Sequence, residues 1–325
     1  MERNKRETDG LSRRDVLAAG AALLGAGTPA GAAENKAGKQ KLKVAVFSKH
    51  LQFLQGEEMA KAAADTGFDG VDITVRNGGH VAPERVRQDL PPLVASIRKH
   101  GLEVPMITTD IVDTATPYTE DILKAMSELG IHNYRWGGLK YTPDGSLAAQ
   151  LEQMKPRVAK LAALNSRYKA GAMYHTHSGI GMVGASFWDL HILLKDQDPA
   201  AVGVNYDIGH ATVEGGFGGW INSFRITGAH VRGIAVKDVL WGKDAKGAWR
   251  PQWKPLGEGM VRFPQFFKMV ADAGFAGPLQ IHYEYPLGGA DGGKTKLTSD
   301  PAEVFAAMKR DLKQLRAYLS GAGLV

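Results

Sequence analysis

The sequence predicts a closed (β/α)8 barrel over residues 42–325. Eight short β-branched or apolar runs alternate with longer stretches in which apolar residues recur three and four positions apart. Eight such strand-helix units in about 280 residues fit the usual size of this barrel. An open doubly wound sheet shows the same alternation, but it usually carries a glycine-rich phosphate loop after its first strand. Here the first strand is followed by residues 48–51 (SKHL), so the closed barrel is favoured.

The elements follow one another along the whole predicted barrel. The predicted strands are residues 42–47, 70–74, 103–108, 133–136, 169–175, 202–207, 230–236 and 278–284. The predicted helices are residues 57–66, 83–100, 119–129, 147–164, 186–194, 219–227, 263–273 and 301–319. Gly67 and Gly274 each stand between a helix and the next strand, where glycine can end a helix in the left-handed conformation.

The first 33 residues predict a twin-arginine export signal. Arg13 and Arg14 directly precede an apolar run at residues 16–24, and small residues at 29–33 resemble a signal-peptidase site. The run is shorter than the ~20 residues needed to cross a bilayer. We therefore expect residues 1–33 to be removed, residues 34–41 to form a polar linker, and the barrel to reach the periplasm without a stable membrane anchor.

Composition excludes several functions. The chain has no cysteine, so it has neither disulfides nor zinc-thiolate sites. Its formal net charge of +6 is scattered over the helical stretches instead of forming one patch. That distribution is typical of a solvated surface and does not predict a nucleic-acid partner.

Histidines and carboxylates cluster at the ends of three predicted strands. Because side chains alternate along a strand, His175 and His177 share one face, and so do His282 and Glu284. Asp207 ends the strand between them in the chain order. In a barrel of this class the carboxyl ends of the strands carry the active site. Imidazoles and carboxylates in one pocket suit a divalent metal, with Zn, Mn, Co and Fe all compatible.

Other polar and aromatic side chains also fall at these strand ends. The candidates for substrate binding are Arg76, His80, Trp136, Asp238, Trp241 and Trp249. The exposed rings of tryptophans can cover the apolar face of a sugar. Alternatives remain open: Lys237 and Asp238 could form a surface ion pair, Arg76 and His80 could order their glycine-rich loop, and the tryptophans could pin their own loop.

Several motifs resemble those of the xylose isomerase-like barrels, which include sugar phosphate isomerases and epimerases. They are residues 67–72 (GFDGVD), 205–210 (NYDIGH), 236–238 (VKD) and 255–259 (PLGEG), and the resemblance covers about residues 42–320. It implies a divalent metal held by Glu, Asp, His and Glu at the ends of the fifth to eighth strands. Isomerases, epimerases, dehydratases and an endonuclease share this barrel, so the resemblance leaves the reaction open.

The ligand set implied by the resemblance is altered in this chain. Asp207 matches the sixth-strand ligand, and His210 matches a histidine frequent nearby. The fifth-strand glutamate becomes His175, the seventh-strand histidine becomes Ala235, and the eighth-strand glutamate becomes His282, with Glu284 two residues later. Either His175, Asp207 and Glu284 bind metal together with His210, His282 or both, or the site works without a metal.

The resulting hypothesis is an exported, metal-dependent enzyme that transfers a proton next to the carbonyl of a sugar or keto-sugar. Glu284, His175 or His177 would remove the proton, and Lys237 would stabilise charge or act as general acid. A lyase that eliminates from a keto-glycoside, made by a partner oxidoreductase, is the first alternative. A non-catalytic carbohydrate-binding barrel is the second, motivated by Ala235. Nuclease chemistry is disfavoured by Ala235 and by the export signal.

Overall fold

Eight parallel strands close into a barrel, as the sequence predicts. The computed structural model describes residues 41–325; the predicted export signal and linker residues 34–40 lie outside this range. The barrel strands are β1 (Val44–Phe47), β2 (Gly70–Val75), β3 (Ile107–Thr109), β4 (Asn133–Trp136), β5 (Gly171–His175), β6 (Val202–Asp207), β7 (Val231–Val236) and β10 (Leu279–Ile281). Each pairs with its neighbour in the chain, and β10 closes the ring by pairing with both β7 and β1.

Helices follow the strands and cover the outside of the barrel. They are α1 (Gly56–Thr66), α2 (Val86–Lys99), α3 (Thr119–Leu129), α4 (Leu147–Tyr168), α5 (Trp188–Leu194), α6 (Ile208–Gly215), α7 (Gly219–Thr227), α8 (Phe263–Asp272) and α9 (Pro301–Gly321). Gly67 ends α1 with a φ of 99°, and Gly274 follows α8 with a φ of 63°. Both glycines therefore have the left-handed conformation that the sequence predicts. Among residues 41–325, no helix is both long and apolar enough to cross a membrane.

Three features near the site differ from the prediction. Helix α6 begins directly after β6 because the carboxylate of Asp207 accepts a hydrogen bond from the His210 N–H and caps the helix. The predicted loop after β7 contains an antiparallel hairpin, β8 (Asp238–Lys243) with β9 (Trp249–Lys254). Strand β10 is shorter than predicted and ends at Ile281, one residue before His282.

The main core lies between the sheet and the helices. Tyr206, on the outer face of β6, stacks on Phe266 of α8 at 5.8 Å, and its hydroxyl donates to the Trp220 carbonyl of α7. Burial of such aromatic side chains stabilises the helices against the sheet, by roughly 2–3 kcal/mol per ring. The inside of the barrel is more polar, since Gln280 on β10 donates to Asn205 on β6 at 2.8 Å. This inner polar layer supports the site above it.

Candidate functional site

Three side chains at the carboxyl end of the barrel form a cluster suited to a metal ion. His175 ends β5, Asp207 ends β6 and His282 follows β10, and one ligand atom of each lies within 4.8 Å of the others. All three are buried. The alternation of side chains along neighbouring parallel strands brings them together, since each points into the barrel.

The two oxygens of the Asp207 carboxylate have different surroundings, since one caps a helix and the other faces the site. Oδ1 accepts the capping hydrogen bond from the His210 N–H at 2.9 Å. Oδ2 is buried without a well-aligned hydrogen-bond donor, although Lys237 Nζ lies 3.1 Å away and His175 Nε2 3.4 Å away. Burial raises the pKa of Asp207, and the charge of Lys237 opposes that rise. Oδ2 is therefore the oxygen free to bind a cation.

The two histidines of the cluster are neutral and well oriented. Their rings stack with centroids 5.2 Å apart, and His175 Nδ1 is hydrogen-bonded to the Asn205 amide at 3.1 Å. Gln280 holds that amide in turn. Burial, reinforced by nearby cationic side chains, lowers the pKa of both imidazoles well below the usual value. Neutral imidazoles can bind a metal ion through a ring nitrogen, and the Asn205 amide fixes the ring of His175.

Lys237 lies beside the cluster and is itself buried. Its Nζ lies 2.9 Å from His210 Nε2, and 4.5 Å from the ring centroid of Trp253. The other ring nitrogen of His210 is 2.9 Å from the hydroxyl of Ser178. Both nitrogens of His210 thus have partners, and His210 is not part of the three-residue cluster, so its assignment as a metal ligand stays a prediction. Its role in the structure is to hold Lys237.

Glu284 also lies outside the three-residue cluster. Its Oε1 is 3.3 Å from Lys49 Nζ and 3.8 Å from Lys237 Nζ. Burial would raise the pKa of Glu284, but the two lysines outweigh it and lower the pKa to about 2. Glu284 is therefore an ionised carboxylate paired with lysines, and the structure does not group it with the predicted metal ligands.

A cleft of about 530 Å³ opens next to the cluster, on the side of β3, β4 and β5. It is lined by Thr109, Asp110, Val112, Arg135, Trp136, Gly137, Gly138, His175, His177, Ser178 and Met182. His177 Nε2 is 3.4 Å from the Arg135 guanidinium, and burial with this nearby charge lowers the pKa of His177 to about 3. The cleft is large enough for a sugar ring, and it gives such a ring access to two neutral imidazoles.

Two predicted substrate-binding residues make hydrogen bonds that order nearby loops, and their contact with a substrate stays a prediction. The ring nitrogens of His80 are hydrogen-bonded to Thr74 Oγ1 at 3.1 Å and to the Leu54 carbonyl at 3.2 Å, so His80 orders its loop. Asp238 is buried and accepts hydrogen bonds from the backbone N–H groups of four residues, Val239, Gly257, Gly259 and Val261. Its carboxylate fixes the base of the hairpin, which the Lys-Asp pattern alone does not reveal.

The remaining predicted residues lie around the mouth. The Arg76 guanidinium lies 5.5 Å from the Phe47 ring, and Trp136 lines the cleft. In the hairpin, Trp253 pairs with Val239, Trp241 with Pro251 and Trp249 with Lys243. Successive pairs in this series are two residues apart along each strand. Trp241, Trp249 and Trp253 therefore share one face. The ring centroid of Trp253 lies 5.0 Å from that of His210, whereas Trp249 is 61% exposed. The face therefore extends from the site to the solvent.

Sequence reasoning missed several residues of the site. Lys49 lies in a short helical turn after β1, Ser178 follows β5, and Gln280 is inside β10. Lys49 stands two residues after the first apolar strand, where a charged side chain is a candidate for the site. Gln280 could not be identified from the sequence, because a single polar residue in a short strand does not show which face of the strand points into the barrel.

Comparison with known proteins places the chain in a family. The model of the xylose isomerase-like TIM barrel family matches residues 60–310, which is more than half of the chain. The chain belongs to the xylose isomerase-like TIM barrel family. No curated protein sequence gave a significant match.

Solved structures share the fold of this xylose isomerase-like barrel at low sequence identity. A D-tagatose 3-epimerase-like protein is 14% identical with a TM-score of 0.64, covering 87% of this chain and 98% of its own. The 3-keto-D-glucoside 4-epimerase of E. coli is 14% identical with a TM-score of 0.59, covering 85% and 100%. A xylose isomerase-like barrel protein of Mycobacterium smegmatis in complex with magnesium is 14% identical with a TM-score of 0.60, covering 86% and 98%.

Proposed function

We propose that this protein is an enzyme of the isomerase and epimerase kind, transferring a proton next to the carbonyl of a sugar or keto-sugar. The observation that carries the proposal is the buried pair of Lys237 and Asp207 beside a sugar-sized cleft lined by His177, with Glu284 3.8 Å from Lys237. A cation, a carboxylate and a neutral imidazole in one mouth are the groups that proton transfer requires.

The donor set fits a divalent metal ion. His175, Asp207 and His282 would hold it, because two neutral imidazoles and the buried Asp207 Oδ2 converge within 4.8 Å. Zn, Mn, Co and Fe all accept such ligands. A bound metal would act as a Lewis acid that polarises the substrate carbonyl. The magnesium bound by one structural neighbour supports this proposal.

Glu284, His177 and Lys237 would carry out the proton transfer and the stabilisation of charge. Glu284 is ionised and can accept a proton from the carbon next to the carbonyl, and the neutral ring of His177 can do so through Nε2, the nitrogen that faces the Arg135 guanidinium at 3.4 Å. The Lys237 ammonium is held at fixed distances by Asp207 and His210, and it can stabilise negative charge on the substrate oxygen. If the proton returns to the opposite face of the carbon that lost it, the result is epimerisation. If it returns to the former carbonyl carbon, the result is isomerisation.

A lyase is the second candidate for the same site. If the carbon beyond the deprotonated one carries a glycosidic oxygen, loss of that leaving group gives elimination instead of reprotonation. One structural neighbour is a 3-keto-D-glucoside 4-epimerase, which favours keto-glycosides as substrates. An oxidoreductase that forms the keto group would then supply the substrate.

The products in deuterium oxide distinguish these outcomes. Purified protein is incubated with 3-keto-glucosides and with free ketoses, and the products are followed by NMR. An epimerase gives a deuterated isomer, and a lyase gives an unsaturated keto-sugar with the free aglycone. A non-catalytic barrel, which Ala235 at a usual ligand position favours, would bind the sugars without any change even after metal is added.

We also propose export by the twin-arginine route, supported by Arg13 and Arg14 ahead of a short apolar run. Arg13→Lys combined with Arg14→Lys should leave the precursor in the cytoplasm. Periplasmic protein cleaved near residue 33 in that double variant would contradict the proposal.

A further inference from the structure

Four cationic side chains surround the barrel mouth, and only the two lysines have an acidic partner. Lys237 Nζ is 3.1 Å from Asp207, and Lys49 Nζ is 3.3 Å from Glu284. These ion pairs compensate the carboxylates of Asp207 and Glu284. The charge of the arginines has to be balanced by something else.

Neither arginine of the mouth forms an ion pair. Among residues 41–325, no carboxylate oxygen lies within 4.0 Å of the guanidinium of Arg76 or Arg135. Arg135 contacts the neutral His177 at 3.4 Å, and Arg76 lies over the Phe47 ring. Burial and the charge of Arg76 lower the pKa of Arg135 to about 10, so Arg135 remains cationic at neutral pH. Two uncompensated, half-buried guanidinium groups near each other are costly without an anion.

The other acidic groups nearby do not supply that anion. Asp72 is buried inside the barrel and accepts hydrogen bonds from Thr108 Oγ1 at 2.9 and 3.0 Å. Burial raises its pKa to about 7, so a large fraction is neutral at neutral pH. Asp110 lines the cleft, but it is exposed and accepts from the Asn77 N–H at 3.3 Å. Neither of these carboxylates therefore forms a direct ion pair with Arg76 or Arg135.

We propose that Arg135, with Arg76 beside it, binds an oxyanion of the substrate, so that the substrate is an acidic sugar derivative. A planar guanidinium matches a carboxylate or a phosphate with two parallel hydrogen bonds. Arg135 lines the cleft together with His177, which places the anionic group one side chain away from a proton-transfer group. The inference rests on the proposed function only in assigning the cleft to the substrate.

Equilibrium binding tests the site separately from turnover. Isothermal titration at low salt compares D-glucuronate, D-glucose 6-phosphate and D-glucose for wild type, Arg135→Gln, Arg135→Lys and Arg85→Gln. Arg85 is an exposed arginine paired with Asp89 on the outer surface and serves as the matched control. We expect at least one acid to bind wild type and Arg85→Gln tenfold or more tightly than glucose, and Arg135→Gln to lose that preference.

Arg135→Lys keeps the charge without the planar fork, so it should retain part of the preference, and its thermal melting checks that the fold is intact. Tighter binding of glucuronate identifies a carboxylate, and tighter binding of the phosphate ester identifies a phosphate. The inference is overturned if glucose binds as tightly as both acids, if neither acid binds at 10 mM or below (about −2.7 kcal/mol), or if Arg135→Gln binds acids like wild type. Acid binding without any proton exchange would contradict the proposed function and leave the anion site standing.

Discussion

Lys237 Nζ lies 3.1 Å from Asp207 Oδ2, and both side chains are buried in the mouth of the barrel. The same oxygen belongs to the cluster of Asp207 with His175 and His282. The ammonium therefore compensates the carboxylate when no metal is bound. A metal ion at the cluster would share this oxygen with the lysine.

Replacing Lys237 by methionine should destabilise the metal-free protein. Removing one partner of a buried ion pair leaves an uncompensated charge and typically costs about 3–5 kcal/mol. For a barrel of this size, we expect the melting temperature in chelator to fall by roughly 5–15 °C. Added Mn²⁺ or Zn²⁺ should restore much of the loss, since a metal can replace the missing cation. Lys268→Met, which breaks an exposed pair with Asp272, is the control and should melt like wild type.

Metal content should depend on Asp207. Asp207→Ala removes the only carboxylate of the cluster, and we expect elemental analysis of the purified variant to find nearly all metal lost. Ala235→His restores the ligand that the family usually has on the seventh strand and should leave metal content unchanged or higher. Full metal occupancy in Asp207→Ala would show that the metal site lies elsewhere.

The exposed tryptophans of the hairpin should bind the distal part of the substrate. Trp249→Ala should raise KM for a glycoside with a bulky aglycone several-fold and leave kcat nearly unchanged, because Trp249 lies far along the hairpin from Lys237. Trp188, 57% exposed at the start of α5, is a matched control for surface tryptophan loss. Equal KM values for Trp249→Ala and wild type would remove the hairpin from the substrate site.

Asp72 should make the stability of the barrel dependent on pH. Its folded-state pKa of about 7 is above the usual 3.8, because burial disfavours the charged form. The stability that protonated Asp72 contributes is therefore lost as the pH rises from about 4 through 7. Asp72→Asn does not titrate, so relative to wild type it should gain up to about 3 kcal/mol of unfolding free energy between pH 5 and pH 8. Urea denaturation at the two pH values measures the gain, and a constant difference would contradict the assigned pKa.

The barrel itself could be predicted because its signal is periodic. Alternating apolar runs and helical stretches, with Gly67 and Gly274 at helix ends, specify the strand order and the edge where the site forms. The hairpin could not be predicted in the same way. Its strands contain charged residues, tryptophans and Pro251, and its position depends on backbone hydrogen bonds to Asp238 that only the fold creates.

The position of the site could be predicted from the sequence, but the roles of its residues could be predicted only in part. The alternation of His175 with His177 and the end of β6 at Asp207 put these residues at the mouth. Whether a histidine binds a metal ion or contacts a lysine depends on the distances between side chains of different strands. The local sequence does not encode these distances. His210 and Glu284 are the examples, since both contact Lys237 and neither belongs to the cluster.

Proton exchange with solvent distinguishes a proton-transfer enzyme from a barrel that only binds sugars. Wild-type protein, Glu284→Gln and His177→Gln are incubated with a panel of keto-sugars and keto-glycosides, acidic ones included, in deuterium oxide with Mn²⁺ or Zn²⁺ present. NMR and mass spectrometry then locate deuterium on the carbon next to the carbonyl. We expect incorporation with wild type and a loss of tenfold or more in at least one variant. Absence of wild-type exchange across the panel, or undiminished exchange in both variants, would contradict it.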